Sequence, residues 1–428
     1  MKWPSSSLSI ALSLSACQAW APSKSFHRSL TATQTSTTTT LHNRNDYNVV
    51  FRPSENPDSF DSVKIGTARV HRYADPDSAT LDNTEYIMWY HARDSVIDNA
   101  DNSLPPLSTG RIGRATSRNG LIWERDEKGS FDTDKEGVSL GLNTDSWWGF
   151  DTAHLGLGQV MMPMSTPSIR SEGGVYMMYY MGGSYDETKI VDYLGEEKKA
   201  MIPNPEEAKI KGMKLKIGVA ISQDGITWGR VEGDDPTGAC VVPYDLEDTN
   251  MQFNNKGGVK DESGKILTIP EELYCGWPDV VVNPVQEGES TKGAATDESR
   301  NNFFMYYSTM LKDTKEKAIG YAVSVNGFNW AKRGIVLSPT PGTLDGAGCA
   351  RCTVVKKAKV NEEGFWEEEK NGWIMFYEGV SSEDGKHRIM AAESDNLKNW
   401  NKLGLAMDVG EGDEAWDAQG VGSPHVVR

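Results

Sequence analysis

Period-two alternation of apolar and polar positions dominates the chain, and it recurs. Four segments carry one pattern: IGRATSRNGLIWER (112–125), IGVAISQDGITWGR (217–230), IGYAVSVNGFNWAK (319–332) and IMAAESDNLKNWNK (389–402). Each opens on a branched apolar residue and alternates I-x-A-x-S, as a half-buried strand does. An NG or DG pair then makes a tight turn, because that turn needs positive φ. A Trp eleven places on (Trp123, Trp228, Trp330, Trp400) begins the next strand. Ahead of each unit runs an aromatic segment: YIMWYHA (86–92), VYMMYYMGG (175–183), NFFMYYST (302–309) and WIMFYEG (373–379). These are apolar on both faces, as a strand between two packed sheets must be.

A third piece comes earlier still and has five copies: FDSVKIGTARV (60–70), FDTAHLGLGQV (150–160), PEELYCGWPDV (270–280), LDGAGCARCTV (344–354) and WDAQGVGSPHV (416–426). An acid leads each copy: Asp61, Asp151, Glu271, Asp345 and Asp417. Glycine follows five places later, except where Ala350 replaces it. A lead strand, an aromatic strand, an IGxAxS strand and a Trp-led outer strand make one antiparallel blade. The expected fold is all-β: a five-bladed β-propeller over residues 46–428, its fifth blade incomplete at the C-terminus. With five lead strands and four of each later piece, the expectation is a truncated chain, or else a ring that YNVVF (47–51) helps to close. Residues 124–149, 185–215, 231–269 and 284–300 read as surface insertions without strand pattern, with a helical turn within 196–212.

Composition agrees. Of 428 residues, 38% are hydrophobic and 25% charged, enough for a packed core. Net charge is −17, which repels polyanions and argues against a nucleic-acid partner. No apolar run reaches membrane-spanning length, so no membrane partner is expected. LSIALSLSACQAWA (8–21) reads as a signal-peptide core, giving a signal peptide at 1–19. The Ser/Thr-rich, acid-free stretch that follows reads as a transit-peptide-like segment at 20–45. Together they resemble the bipartite presequence of algae with complex plastids, with Trp20 in QAWAP at the aromatic place. That implies a plastid (chloroplast) location; secretion is the alternative. Past residue 45 only Cys240, Cys275, Cys349 and Cys352 remain, too few for a disulfide framework. The CARC pair (349–352) reads as structural thiols.

The motifs D-x4-G-x-P-x-V, M-x-Y-x-G and I-G-x-A-x-S-x-D-G-x-x-W resemble the five-bladed glycoside hydrolases of the family 43/32 type, such as arabinanases, levansucrases and invertases. The resemblance covers about 60–428. It implies a small-molecule or oligosaccharide ligand in the central channel, no cofactor, and in some relatives a structural Ca²⁺ there. A monomer is expected.

Strand alternation places one column of lead-strand residues toward the channel: Arg69, Gln159, Asp279, Thr353 and His425. A second column stands nearer the mouth: Thr67, Leu157, Trp277, Arg351 and Ser423. Glycosidic cleavage needs two carboxyl groups across the bond. The resembled hydrolases draw theirs from different blades, one from a lead-strand DP; here that place reads Thr67 and Arg69, without an acid. The catalytic candidates are therefore Asp279 as base, with Glu378 or Asp151 as acid. The leading acids also suit a repeated turn-capping job. Arg69, His154, Gln159, Trp148, Trp277, Arg351 and His425 are the substrate-binding candidates, and no metal-ligand spacing appears. The expected function is a carbohydrate-active propeller, hydrolytic or phosphorolytic if active; the alternative is a non-catalytic carbohydrate-binding or scaffold propeller.

Overall fold

The computed structural model describes residues 49–73, 84–94, 110–130, 133, 135–162, 174–194, 199–200, 202, 204–245, 259–260, 266–267, 269–282, 303–360, 366–412 and 415–427. The expected presequence, 1–45, lies outside them. Four antiparallel sheets follow one another along the chain in a propeller-like arrangement. Blade 1 is built from Lys64–Tyr73, Glu85–Arg93, Arg111–Ser117 and Glu124–Arg125, with Val138–Leu140 on the third strand. Blade 2 takes His154–Met161, Tyr176–Gly183, Lys216–Ser222 and Gly229–Val231. Blade 3 takes Glu272–Val282, Phe303–Leu311, Lys317–Ser324 and Ala331–Leu337. Blade 4 takes Gly348–Val360, Trp366–Val380, His387–Ser394 and Asn401–Met407. The expected strand order holds in each, and helix among the described residues is almost absent.

Two sequence expectations need correction. The fifth lead copy, 416–426, forms no strand; it pairs only through a parallel bridge from Gly420 to His387. The insertions do carry short strands, notably Val138–Leu140 and the hairpin Glu187–Lys189 with Lys209–Lys211. Their periods are too short to register as alternation.

The core lies in the seams between blades. Trp89, Leu157, Tyr176 and Trp228 fill the first seam, Tyr179, Met305 and Trp330 the second, and Tyr306, Met375 and Tyr377 the third. A repeated bond latches each seam. Trp89 Nε1 donates to Gly225 O (2.7 Å), Tyr179 OH to Gly327 O (3.0 Å) and Tyr306 OH to Leu397 O (2.6 Å). Each donor comes from an aromatic strand, and each acceptor is the tight turn of the next blade. The turn thus offers its carbonyl only where the chain reverses.

Each blade is also pinned internally by an acid, a tyrosine and a base. Asp61 accepts from Tyr90 OH (3.1 Å) and Arg125 Nε (2.6 Å). Asp151 accepts from Tyr180 OH (2.9 Å) and Arg230 Nε (2.7 Å). Asp345 accepts from Tyr377 OH (2.7 Å) and Lys402 Nζ (2.6 Å). In blade 3 the acid is Glu272, not Glu271: it takes Tyr307 OH (2.9 Å) and Lys332 Nζ. A register shift between Glu272 and Tyr274 moves the acid one place, and Glu271 pairs with Lys312 at the surface.

A buried ion pair that loses one partner leaves an uncompensated charge, which costs far more than losing an exposed pair. Lys332 and Glu272 are both buried, whereas Lys209 and Glu187 are exposed. Urea unfolding should therefore show Lys332→Ala losing about 3–5 kcal/mol and Lys209→Ala losing about 1 kcal/mol or less.

Candidate functional site

The channel-facing column does converge, and it converges on one guanidinium. Arg69 Nε donates to Gly158 O of blade 2 (2.5 Å). Its Nη2 lies 3.4 Å from Asp279 Oδ1 of blade 3 and donates to Cys352 O of blade 4 (3.4 Å). Its Nη1 donates to Pro424 O (3.1 Å) and stands 3.5 Å from His425 Nδ1, both in the fifth copy. Asp279 in turn accepts from Gln159 Nε2 (3.3 Å) and from Val354 N–H (2.9 Å). Arg69 and Asp279 are 3% and 0% exposed, so this pair is shielded from solvent.

Burial sets the electrostatics here. It raises the Asp279 carboxyl to about 6, while Arg69 and the Val354 N–H pull the other way. It lowers the His425 imidazole to about 3, and Arg69 adds to that. The His425 Nε2 lies 3.0 Å from Val70 N and 3.1 Å from Val70 O, which holds the ring against blade 1.

Two residues earlier on each lead segment, roughly 7 Å along the strands, stands a second tier. Glu378 ends the aromatic strand of blade 4 and is 1% exposed. Its Oε2 takes Arg351 Nη1 (3.2 Å) and Ser423 N–H (3.0 Å), and its Oε1 meets His387 Nδ1. Burial pushes this carboxyl up, but Arg351, His387 and the Ser423 N–H bring it down to about 2. The Arg351 guanidinium stacks on the Trp277 ring at 4.7 Å, and the Arg351 N–H donates to Ser308 Oγ (2.7 Å). Thr67 Oγ1 and Ser423 Oγ are 3.4 Å apart. Thr67, Arg351, His387 and Ser423 are partly exposed, with exposed Gly66 and Gly422 beside them.

Several candidates therefore hold different positions from those expected. Asp151 is committed to Tyr180 and Arg230 within its own blade. Glu378 is tied to Arg351, His387 and the Ser423 N–H, and these partners lower its carboxyl. Arg69 and Asp279 are buried against each other, with the half-buried Gln159 and His425 beside them. His154 is buried, donates from Nε2 to Gly212 O (2.7 Å), and is lowered to about 4 chiefly by burial. Trp277 lies under Arg351, which occupies the ring face a sugar would use. Trp148 is 50% exposed and sits edge-on to Trp147 (87% exposed) at 5.9 Å, on the loop before the blade 2 lead strand. Arg351, like Gln159 and His425, is partly exposed.

His387 was missed because it precedes the repeated I-x-A-x-S string by two places, outside the shared pattern. Among the described residues, no cluster of three or more His, Cys, Asp or Glu could hold a metal ion. The thiols of Cys349 and Cys352 are buried and raised by that burial, the opposite of a reactive thiolate.

No family model matches the chain, and no curated protein matches it. Solved structures similar to it include a glycosyl hydrolase from Bacteroides ovatus (15% identity, 85% of this chain, 81% of that one, TM-score 0.43). A β-1,2-mannobiose phosphorylase from Listeria innocua is similar at 12% identity, over 83% and 82% of the two chains, with TM-score 0.40. A family 117 glycoside hydrolase from Zobellia galactanivorans is similar at 12% identity, over 84% and 74%, with TM-score 0.39. At such scores and identities they carry no argument about what this chain does.

The raised Asp279 carboxyl has a definite consequence for stability. Its folded pKa lies above its unfolded value, so its contribution is fully present below about pH 4 and is lost as pH rises through about 6. His425 acts oppositely: its contribution is present above about pH 6.5 and is lost as pH falls toward 3. The two must be separated by substitution. The unfolding free energy of wild type minus that of Asp279→Asn should fall between about pH 4 and 6 and stay flat above, as urea titrations at stepped pH would show.

Proposed function

We propose that the chain is a carbohydrate-binding propeller whose channel mouth holds a saccharide without cleaving it. The observation that carries this is the state of the two channel carboxylates. Asp279 is sealed in the lower tier against Arg69, and Glu378 is buried and ionised beneath Arg351. Cleavage needs one carboxylic acid that can donate and one carboxylate facing it across the bond. Neither channel residue offers the donor, and Asp61, Asp151 and Asp345 are held in the blade triads. What the mouth presents is a guanidinium, an imidazole and two hydroxyls, a set suited to sugar hydroxyls.

The proposal includes a fifth blade position. The segment 416–426 lies against the lead strand of blade 1 through Arg69, Thr67 and Val70, and against blade 4 through His387 and Glu378. That is the place a fifth lead strand takes in a ring. No channel Ca²⁺ belongs to this proposal, because Arg69 supplies positive charge on the axis. Plastid location and a monomeric state remain part of the proposal, resting on the presequence pattern and on composition.

Isothermal titration with neutral tetrasaccharides of glucose, xylose, mannose and arabinose, alongside a reducing-sugar assay, provides the test. Binding of at least one, with no release of reducing ends, is expected. Arg351→Ala should weaken that binding about tenfold or more, the loss of a charged donor at the mouth. Sustained release of reducing ends that Glu378→Gln abolishes would overturn the proposal.

A further inference from the structure

The mouth tier has an unusual backbone. Among the described residues seven non-glycine positions have positive φ, and four of them occupy one register-matched place: Thr67 (φ 45), Trp277 (φ 49), Arg351 (φ 32) and Ser423 (φ 52). The other three, Asn204, Lys315 and Leu397, lie outside the lead copies. In all four blades the pairing of the lead strand with its neighbour shifts at this place, between Gly66 and Arg69, Leu157 and Gln159, Gly276 and Asp279, and Ala350 and Cys352. In blades 1, 3 and 4 the bulge puts its first residue in the left-handed region, whereas Leu157 of blade 2 is not left-handed. Glycine adopts that conformation freely, whereas a β-branched or bulky side chain is strained there. Gly66, Gly276 and Gly422 stand immediately before three of the four positions. The backbone would be served by glycine, yet side chains stand in its place.

These side chains form a linked arc. Trp277 lies under Arg351, Arg351 bonds Glu378, Glu378 takes the Ser423 N–H, and Ser423 faces Thr67. Thr67, Arg351 and Ser423 are partly exposed there, and Trp277 is buried beneath Arg351. Strain of this kind persists where a site needs it.

We infer that Thr67 and Ser423 form a hydroxyl pair that reads adjacent hydroxyls of a neutral sugar, with Arg351 as the charged donor beside them, and that the strained bulges exist to present them. This rests on the saccharide-binding proposal above. Each hydroxyl both donates and accepts, which matches a vicinal diol and not a carboxylate. The Glu378 charge beneath, partly shared by Arg351 and His387, also disfavours an anionic sugar.

The inference makes strain and binding move in opposite directions. Thr67→Gly, Ser423→Gly and the double variant relieve the backbone and remove the hydroxyls; Ser423→Ala removes a hydroxyl and keeps the strain. Urea unfolding and titration with the same four neutral tetrasaccharides, plus tetragalacturonate, read both. The glycine variants should unfold at the same or a higher urea concentration. The double variant should bind the retained tetrasaccharide about tenfold or more weakly. Ser423→Ala should lose affinity without gaining stability, and tetragalacturonate should not bind. A glycine variant that loses stability, or any of the variants binding as wild type does, overturns the inference alone. Preference for tetragalacturonate overturns the diol assignment. A wild-type protein that binds none of the five overturns the saccharide proposal and this inference with it.

Discussion

One arginine ties the ring together. Arg69 leaves the lead strand of blade 1 and meets an acceptor in each of the other four lead copies: Gly158 O, Asp279, Cys352 O and Pro424 O. A guanidinium is planar and carries five donors in a fixed fork, so a single side chain can serve several directions at once. Its burial is tolerable only because every direction is answered and Asp279 balances its charge. The sheets must then stand at matched heights around it, since each acceptor sits at one register of its strand.

Two other repeated bonds follow from that arrangement. The acid–tyrosine–base triads fix each sheet from its inner to its outer strand, and the aromatic-to-turn latches fix each sheet to the next. Consecutive residues do the two jobs: Trp89 and Tyr90, Tyr179 and Tyr180, and Tyr306 and Tyr307 point to opposite faces of their strands. In blade 4 the pair is Phe376 and Tyr377, where the first has no hydroxyl to donate. In blades 3 and 4 the residue after the pair bonds the next lead segment. That is how Ser308 takes the Arg351 N–H and Glu378 the Ser423 N–H, so the mouth is assembled from the same three-residue run that holds the blades.

Much of this was legible in the sequence because the repeat is strong. Alternation and the NG or DG turns located the strands, and five aligned lead copies located the residues that meet on the axis. What residue type could not convey was who answers whom. Arg69 and Asp279 looked like site groups because both are charged; only coordinates show them neutralising each other without solvent. The triad bases were within reach of sequence reasoning. Arg125, Arg230, Lys332 and Lys402 each lie two places after the repeated Trp, and they face the leading acid. Glu272 was hidden by a register shift that preserves the apparent alignment of Glu271. The strained bulges had no sequence signal, since nothing in Thr, Trp, Arg or Ser marks a left-handed position as Gly or Asn would. His387 lay outside the pattern altogether.

The account stands most directly on the unfolding of Arg69→Lys in urea. Lysine keeps the charge beside Asp279 but has a single ammonium, so the carbonyls of Gly158, Cys352 and Pro424 cannot all retain a donor. If Arg69 is the axle, this substitution lowers the unfolding free energy by about 3 kcal/mol or more, with an unchanged dependence on urea. A variant within about 0.5 kcal/mol of wild type would show that charge alone matters at the axis and would contradict the account.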